Sequence, residues 1–302
     1  MFFVYLPQLE HFIVMEFKRI TSITKVKQKS TVVNFSVEKN ENYFANGILT
    51  HNCYMKRHLP VGLTIATNHM DILEAIGAHR SKLGRKVPNQ THARYWTYDI
   101  SCNEDFSLHL KYHKWGEIFD WFEGSGDIMA SFATKHCNEE LLKYRPKGHI
   151  RIRMSMMPEI YREQLEPNTS TILERMQFIN ELKSVGYDVH INFSPVIVTP
   201  GALEEYLRLF ERLAYVVDNR YKPDVLAEVI FLTHNRAKHE YNLEQGKPGE
   251  ELIWRPEIQR TKRSQYGGEN LRYEPRLKAQ LVREFRMAHD RVIPWNTIRY
   301  IF

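Results

Sequence analysis

Two stretches of the chain alternate between apolar and polar residues within a longer succession of strand and helix signals. This pairing restricts the fold more than any other feature. In 149–155, Ile150, Ile152 and Met154 alternate with His149, Arg151, Arg153 and Ser155. In 187–194, Tyr187, Val189, Ile191 and Phe193 alternate with Asp188, His190, Asn192 and Ser194. A period of two places each set on one face of a strand. Between them, 171–184 reads as a helix with Ile172, Leu173, Met176, Ile179 and Leu182 on one stripe, and 203–217 repeats the pattern. The whole succession is helix 73–83, strand 94–101, helix 108–122, strand 127–133, helix 139–143, strand 149–155, helix 171–184, strand 187–198, helix 203–217 and strand 225–233. Repeated βα units imply a parallel sheet, open or rolled. A parallel strand covered on both faces should be apolar throughout. Here one face packs on helices and the other lines a wet, polar lumen, as in a partial barrel around a charged ligand. An antiparallel sheet with one solvated face also fits the alternation, but not the intervening helices.

Composition narrows the class. With 302 residues and 43% apolar content the chain can build a packed core. Three cysteines make no disulfide framework, and a reducing, cytoplasmic setting follows. The start, MFFVYLPQLEHFIVMEF, is apolar but has no basic leader and no run long enough to span a membrane. The net charge is +6, and residues 255–299 hold eleven Lys/Arg against five Asp/Glu. That concentrates the basic character near the C-terminus and suits either an anionic partner or a solvated face.

Ahead of residue 53 the texture is different. Ile20 to Ile23, Thr31 to Val37 and Tyr43-Phe44 read as short strands, with turn signals at Asn40-Glu41-Asn42 and Asn46-Gly47. This is too short to close a core alone. Thr31 to Asn52, ending in His51-Asn52-Cys53, resembles the last two blocks of the intein family. The resemblance implies an extension at 1–14 (Met15 can serve as the start), a small all-β, Hint-type C-terminal intein fragment at 15–52, and a C-extein at 53–302. Asn52 would cyclise onto its own carbonyl, His51 would protonate the scissile bond, and Cys53 would accept the upstream extein as a thioester. The implied partner is a matching N-intein/N-extein precursor. Asn34 and Glu41 stand where many inteins have Asp and His, which implies slow splicing.

From Cys53 onward the chain resembles the spore photoproduct lyases of the radical S-adenosylmethionine (SAM) superfamily. Cys53-Tyr54 matches the end of that family's C-x3-C-x2-C-Y motif, and Tyr98-Asp99-Ile100-Ser101-Cys102-Asn103-Glu104-Asp105 matches the loop of its hydrogen-donor cysteine. Ala133 to His136, Arg151 to Ser155 and Leu165 to Ser170 match further strand ends, and Gln265-Tyr266-Gly267-Gly268 matches its substrate hairpin. The resemblance implies an α/β partial (β/α)6 radical SAM barrel, lacking its first strand here, with a C-terminal β-hairpin. Cys53 would ligate a [4Fe-4S] cluster whose other two cysteines lie on the missing N-extein. Lys135, Ser155 and Asn192 would bind SAM. Cys102 and Tyr54 would return a hydrogen atom after a 5′-deoxyadenosyl radical has opened the lesion. Tyr266, Lys262 and Arg263 would hold UV-damaged DNA. Cys102 could instead be a packed thiol, and Tyr266 an ordinary hairpin aromatic. Cys137 matches nothing and reads as structural; His190 and His234 read as lumen or core residues.

The implied function is a precursor that splices in trans into a lyase reversing thymine dimers of the spore photoproduct type. The alternatives are a repair-inactive relic, a radical SAM homologue of another substrate carrying an intein remnant, or a binding protein without chemistry.

Overall fold

The computed structural model describes the backbone of 42–45 and 48–51 and residues 68–84, 92, 94–101, 105–263 and 269–302. β1 (Asn42–Ala45) and β2 (Ile48–His51) form an antiparallel hairpin with Ala45 opposite Ile48. The two intervening residues are Asn46-Gly47, the pair that a tight hairpin turn favours. After it come α1 (His69–Lys82), β3 (Trp96–Asp99), α2 (Trp115–Glu123), β4 (Ile128–Thr134), β5 (Ile150–Met156), α3 (Glu159–Leu165), α4 (Ile172–Val185), β6 (Asp188–Val196), α5 (Ala202–Val216) and β7 (Leu226–Phe231). The last part holds β8 (Thr233–His234), α6 (Arg236–Glu244), α7 (Glu250–Ile253), β9 (Gln259–Arg263), β10 (Glu269–Tyr273), α8 (Pro275–Val292) and β11 (Ile298–Ile301).

Six strands form one sheet in the order β11-β7-β6-β5-β4-β3, each pair parallel. Strands that neighbour one another in sequence also neighbour one another in space, which is the winding of a barrel segment. The sixth strand comes from the C-terminal end of the chain, outside the expected succession. Asn296 fixes its approach: Nδ2 donates to Val225 O at 2.6 Å and Oδ1 meets His289 Nε2 at 3.0 Å. The expected lack of a first strand concerns residues ahead of the described sheet.

The outward faces of the strands carry Phe132, Ile152, Met154, Ile191, Phe193 and Val229, all buried in one continuous core with the helices. α4 is delimited as its sequence requires. Thr171 and Glu174 make a reciprocal capping box, and Gly186 ends the helix at φ 111°. A Cβ at Gly186 would lie 2.6 Å from Pro146 O, so a side chain there clashes as well as strains the backbone. Leu173 differs from expectation: it is 37% exposed, while Arg175 is fully buried on the helix's inner side. Segment 108–122 is likewise divided into a 3-10 turn at Leu110–Tyr112 and α2. The five residues at Glu139–Lys143 form a 3-10 rather than an α-helical turn.

The C-terminal hairpin is present. β9 and β10 pair antiparallel, and β8 adds to β10 as a third strand. The hairpin tip at 264–268, including Tyr266, lies outside the described residues.

Candidate active site at the carboxyl ends of the strands

The inner face of the half-barrel is polar, as the alternation requires, but it is not wet. Registers align Asp99, Ser131, Arg151 and Asp188, then Ala133, Arg153 and His190, then Ser155, Asn192, Glu228 and Tyr300. Arg151, His190 and Glu228 are all buried. Their charges are matched within the sheet. Arg151 Nε donates to Asp188 at 2.7 Å, and Arg153 pairs with Asp99 and lies 3.8 Å from Glu228. Glu228 also accepts from Tyr300 Oη at 2.8 Å and Arg299 Nη1 at 3.0 Å, with His190 at 3.6 Å. Burial works to raise the Glu228 pKa, but His190 and Arg153 outweigh it and bring it to about 2. Asp188 is held below the usual carboxylate range in the same way, by His190 and Arg151 against burial. These paired groups form a closed floor.

On the same inner face, from the Glu228 row toward the strands' carboxyl ends, lie the residues expected to act. Ser155 and Asn192 are register partners on β5 and β6. Asn192 Oδ1 is buried with no hydrogen-bond partner. An orphaned acceptor here suits a polar ligand. Lys135, just past β4, is 9% exposed and pairs with Glu166. Glu166 is fully buried and also pairs with Arg175, 3.1 Å away. Arg175 reaches Ser155 O at 2.9 Å, Ser170 O at 2.9 Å and Thr169 Oγ1 at 2.6 Å. One buried guanidinium thus ties together the end of β5, the 166–170 loop and, through Glu166, Lys135.

Cys102 lies in 102–104, outside the described residues, but both flanks of that segment are anchored. Asp99 Oδ1 accepts from Ser101 N at 3.0 Å, and Ile100 N donates to Ser131 O at 2.9 Å. On the far side Asp105 accepts from Thr134 Oγ1 at 2.7 Å and from Lys135 N at 2.8 Å. The chain on either side of 102–104 is therefore held at the ends of β3 and β4, beside the lysine. Behind it, Tyr98 Oη meets His79 Nδ1 at 2.7 Å and fastens β3 to α1; burial pushes the Tyr98 phenol up to about 12.

Asp99, Asp105, Glu166 and Arg175 were not among the expected site residues. The first three do stand in the segments Tyr98 to Asp105 and Leu165 to Ser170, which carry the family resemblance. Arg175 carries the clearest signal: a charge among Ile172, Met176 and Ile179 on a buried helix stripe.

The remaining expected residues are not brought to this place among the described residues. His51 ends β2, and Asn52, Cys53 and Tyr54 lie outside the described residues. Lys262 is exposed on β9, and Arg263 ends that strand. The basic 255–299 stretch is spread over a hairpin, a helix and a strand, and part of it is paired internally, as Arg255 with Glu257 and Arg299 with Glu228. His234 lies in the small sheet, not in the lumen.

The cofactor question divides. The orphaned Asn192 acceptor, beside Ser155 and with Lys135 at the neighbouring strand end, fits a polar ligand such as SAM. The cysteines do not fit a complete [4Fe-4S] cluster: Cys53, Cys102 and Cys137 lie too far apart for C-x3-C-x2-C. Cys137 is half-buried, and burial pushes its thiol up to about 11, which suits an inert structural cysteine.

Comparisons with known proteins agree with this geometry. The sequence model of the family described as spore photoproduct lyase matches residues 17–302. Its match runs through 17–52, the stretch expected to be an intein fragment, and gives no sign of one. The spore photoproduct lyase of Bacillus subtilis (strain 168) is 24% identical over 191 residues, 62% of this chain and 54% of that protein. The match thus spans about half the length of the curated relative. Among solved structures, spore photoproduct lyase complexed with a dinucleoside spore photoproduct superposes with a TM-score of 0.73 at 18% identity, over 83% of this chain and 72% of that one. A doubly substituted spore photoproduct lyase with bound AdoMet and the same dinucleoside superposes over the same shares, also at 0.73 and 18%. At that identity they establish the fold: the six-stranded parallel half-barrel is that of these structures. By sequence across nearly its whole length, this chain belongs to the spore photoproduct lyase family.

Proposed function

We propose that this chain carries the SAM-binding, lesion-binding and hydrogen-returning residues of a lyase that reverses a spore-photoproduct thymine dimer. The observation that carries the reading is the juxtaposition of Lys135, Ser155 and Asn192 on neighbouring strands toward one end of the half-barrel, with Asp105 accepting from Lys135 N. Barrel sites are built at that end. Relatives of the same fold hold AdoMet and a dinucleoside spore photoproduct.

In this reading Ser155 and Asn192 bind SAM, and Lys135 is oriented toward it by Glu166. Held with a cluster completed by two further thiolates, SAM would supply the radical that takes a hydrogen atom from the lesion. Cys102 would give its S–H hydrogen to the thymine radical, and Tyr54 would give its O–H hydrogen to the Cys102 sulfur and regain one from the 5′-deoxyadenosine that SAM cleavage leaves. Asp99 and Asp105 position the Cys102 segment. Lys262, Arg263 and Tyr266 hold the damaged strand from the hairpin. No helix among the described residues is long and apolar enough to cross a membrane, and a cytoplasmic site of action is part of the proposal.

The cluster needs two thiolates beyond Cys53. His51-Asn52-Cys53 offers a route to them, joining 53–302 to an upstream half by trans-splicing. The family match from residue 17 favours the other course, in which 17–52 belong to the lyase itself. Mass spectrometry of the chain mixed with a matching upstream half separates the two. Splicing predicts loss of 1–52, blocked by Asn52→Ala; retention of 1–52 in every product removes splicing from the proposal.

The repair reading is tested on the chain completed with the two missing ligands and reconstituted without oxygen. It should restore thymine from a dinucleoside spore photoproduct with consumption of SAM. SAM cleavage without thymine would assign the fold to another substrate, and no SAM binding would favour a relic.

A further inference from the structure

A second polar cluster lies away from the lumen, at the base of the β9–β10 hairpin. His234 closes β8, is 2% exposed and is the register partner of Leu271 on β10. His239 lies on α6, and Glu250 opens α7. Glu250 Oε1 lies 2.7 Å from His234 Nε2 and 2.6 Å from His239 Nδ1, while Oε2 accepts from Asn242 Nδ2 at 2.7 Å. Trp254 stacks flat on His239, with centroids 4.0 Å apart, and meets His234 edge-on at 5.7 Å. His234, Asn242 and Glu250 are buried and His239 is half-buried, so the cluster opens to solvent on one side.

Two imidazole nitrogens and a carboxylate oxygen from three separate elements thus come within 4.8 Å of one another. Glu250 is held by His234, His239 and Asn242 together. Two imidazoles and one carboxylate, with a fourth position open to water, form a donor set that zinc takes. Asn242 holds the second carboxylate oxygen, as outer partners of metal ligands do. Zinc bonds of about 2.0–2.1 Å require donors roughly 3.3 Å apart, so this trio must open by about 0.6 Å. His239, half-exposed on a nine-residue helix, is the member free to shift.

We propose that His234, His239 and Glu250 bind a divalent metal ion of the zinc class, and that this ion fastens the base of the hairpin to α6 and α7. Its ligands share no residue with the strand-end site, so the proposal stands or falls independently of the lyase reading.

The test uses the full chain with its cysteines alkylated, so that no thiolate competes, and stripped of metal by a chelator. Titration with Zn2+ should show one equivalent bound per chain and a rise in Tm. Co2+ should give visible d–d bands without thiolate charge transfer. His239→Ala and Glu250→Gln should each weaken Zn2+ binding at least 100-fold. His69→Ala, at a histidine paired with Glu117 on another face, should leave it unchanged. If Glu250→Gln fails to fold by far-ultraviolet circular dichroism, wild type and the half-exposed His239→Ala decide. Absence of stoichiometric Zn2+ binding by the folded wild-type chain, or equal affinity in His239→Ala, would overturn the proposal and leave a hydrogen-bonded His-Glu-His clasp.

Discussion

Glu166 is where the strand-end site is most exposed to a single change. Its carboxylate neutralises both Lys135 and Arg175, and it is fully buried. Glu166→Ala leaves a buried guanidinium and a nearly buried ammonium without their counter-charge. Removing one partner of a buried pair costs about 3–5 kcal/mol, so the urea midpoint should fall by a large fraction of the protein's stability. A loss below about 1 kcal/mol would mean that water already reaches these groups. Glu228 makes a prediction in pH. Its folded pKa of about 2 lies below the ordinary value of 4.5. A lowered carboxylate contributes stability above its unfolded pKa and loses it as pH falls toward the folded one. The chain should therefore lose stability from about pH 5 downward, and Glu228→Gln should make that decline shallower by about one proton between pH 5 and 3. Identical slopes in the two proteins, measured by urea unfolding across that range, would remove Glu228 from the floor's charge balance.

Among the elements, the half-barrel strands were the most legible from sequence, because a period of two with one polar face leaves few alternatives. β4, β5, β6 and β7 fall within a residue or two of expectation, with β7 ending ahead of Thr233. The nature of the polar face was not legible. Arg151, Asp188, His190 and Glu228 look the same in sequence whether they line water or pair with one another. Only their alignment across three strands pairs them into a closed floor. The elements after Thr233 went unread for a different reason. α8 buries only Phe285, Ala288 and His289 along eighteen residues, so its basic residues hide its helical stripe. β11 is four half-buried residues whose partner, β7, lies far back in the chain. The hairpin was anticipated only through the family resemblance, and its charges give it a measurable role. If the hairpin holds damaged DNA as proposed, then with Arg255 and Arg299 paired internally that grip falls to residues such as exposed Lys262 and its neighbour Arg263. Each phosphate contact contributes about 0.9 to the slope of log K against log salt on duplex DNA. Lys262→Ala with Arg263→Ala should lower the slope for UV-irradiated DNA by nearly 2, measured by fluorescence anisotropy. An unchanged slope would place the DNA on another face.

For the whole molecule, the strand-end residues were legible as a set but not as a mechanism. Lys135 and Ser155 stand near the ends of β4 and β5, and Asn192 is the register partner of Ser155 within β6. Sequence alone did not reveal that Lys135 is held by Glu166, that Arg175 ties the surrounding loops, or that Asp99 and Asp105 anchor the chain before and after 102–104. Those relations depend on helices and loops distant in the chain. The upstream segment ran the other way: the stretch Thr31 to Asn52 with its His51-Asn52-Cys53 junction pointed to one family, while the match over 17–302 assigns the same residues to the lyase family. The central claim of the proposed function is that Cys102 returns the hydrogen atom that completes repair. The measurement is the product profile of the completed enzyme and its Cys102→Ala variant on a dinucleoside spore photoproduct. Proximity makes the nearest weak X–H bond the quencher, so the variant should still cleave SAM and open the dimer. It should yield less intact thymine, form trapped adducts, and consume more SAM per thymine restored. Equal thymine yield and equal SAM consumption in the two proteins would contradict the account and leave Cys102 a packed thiol at the end of a strand.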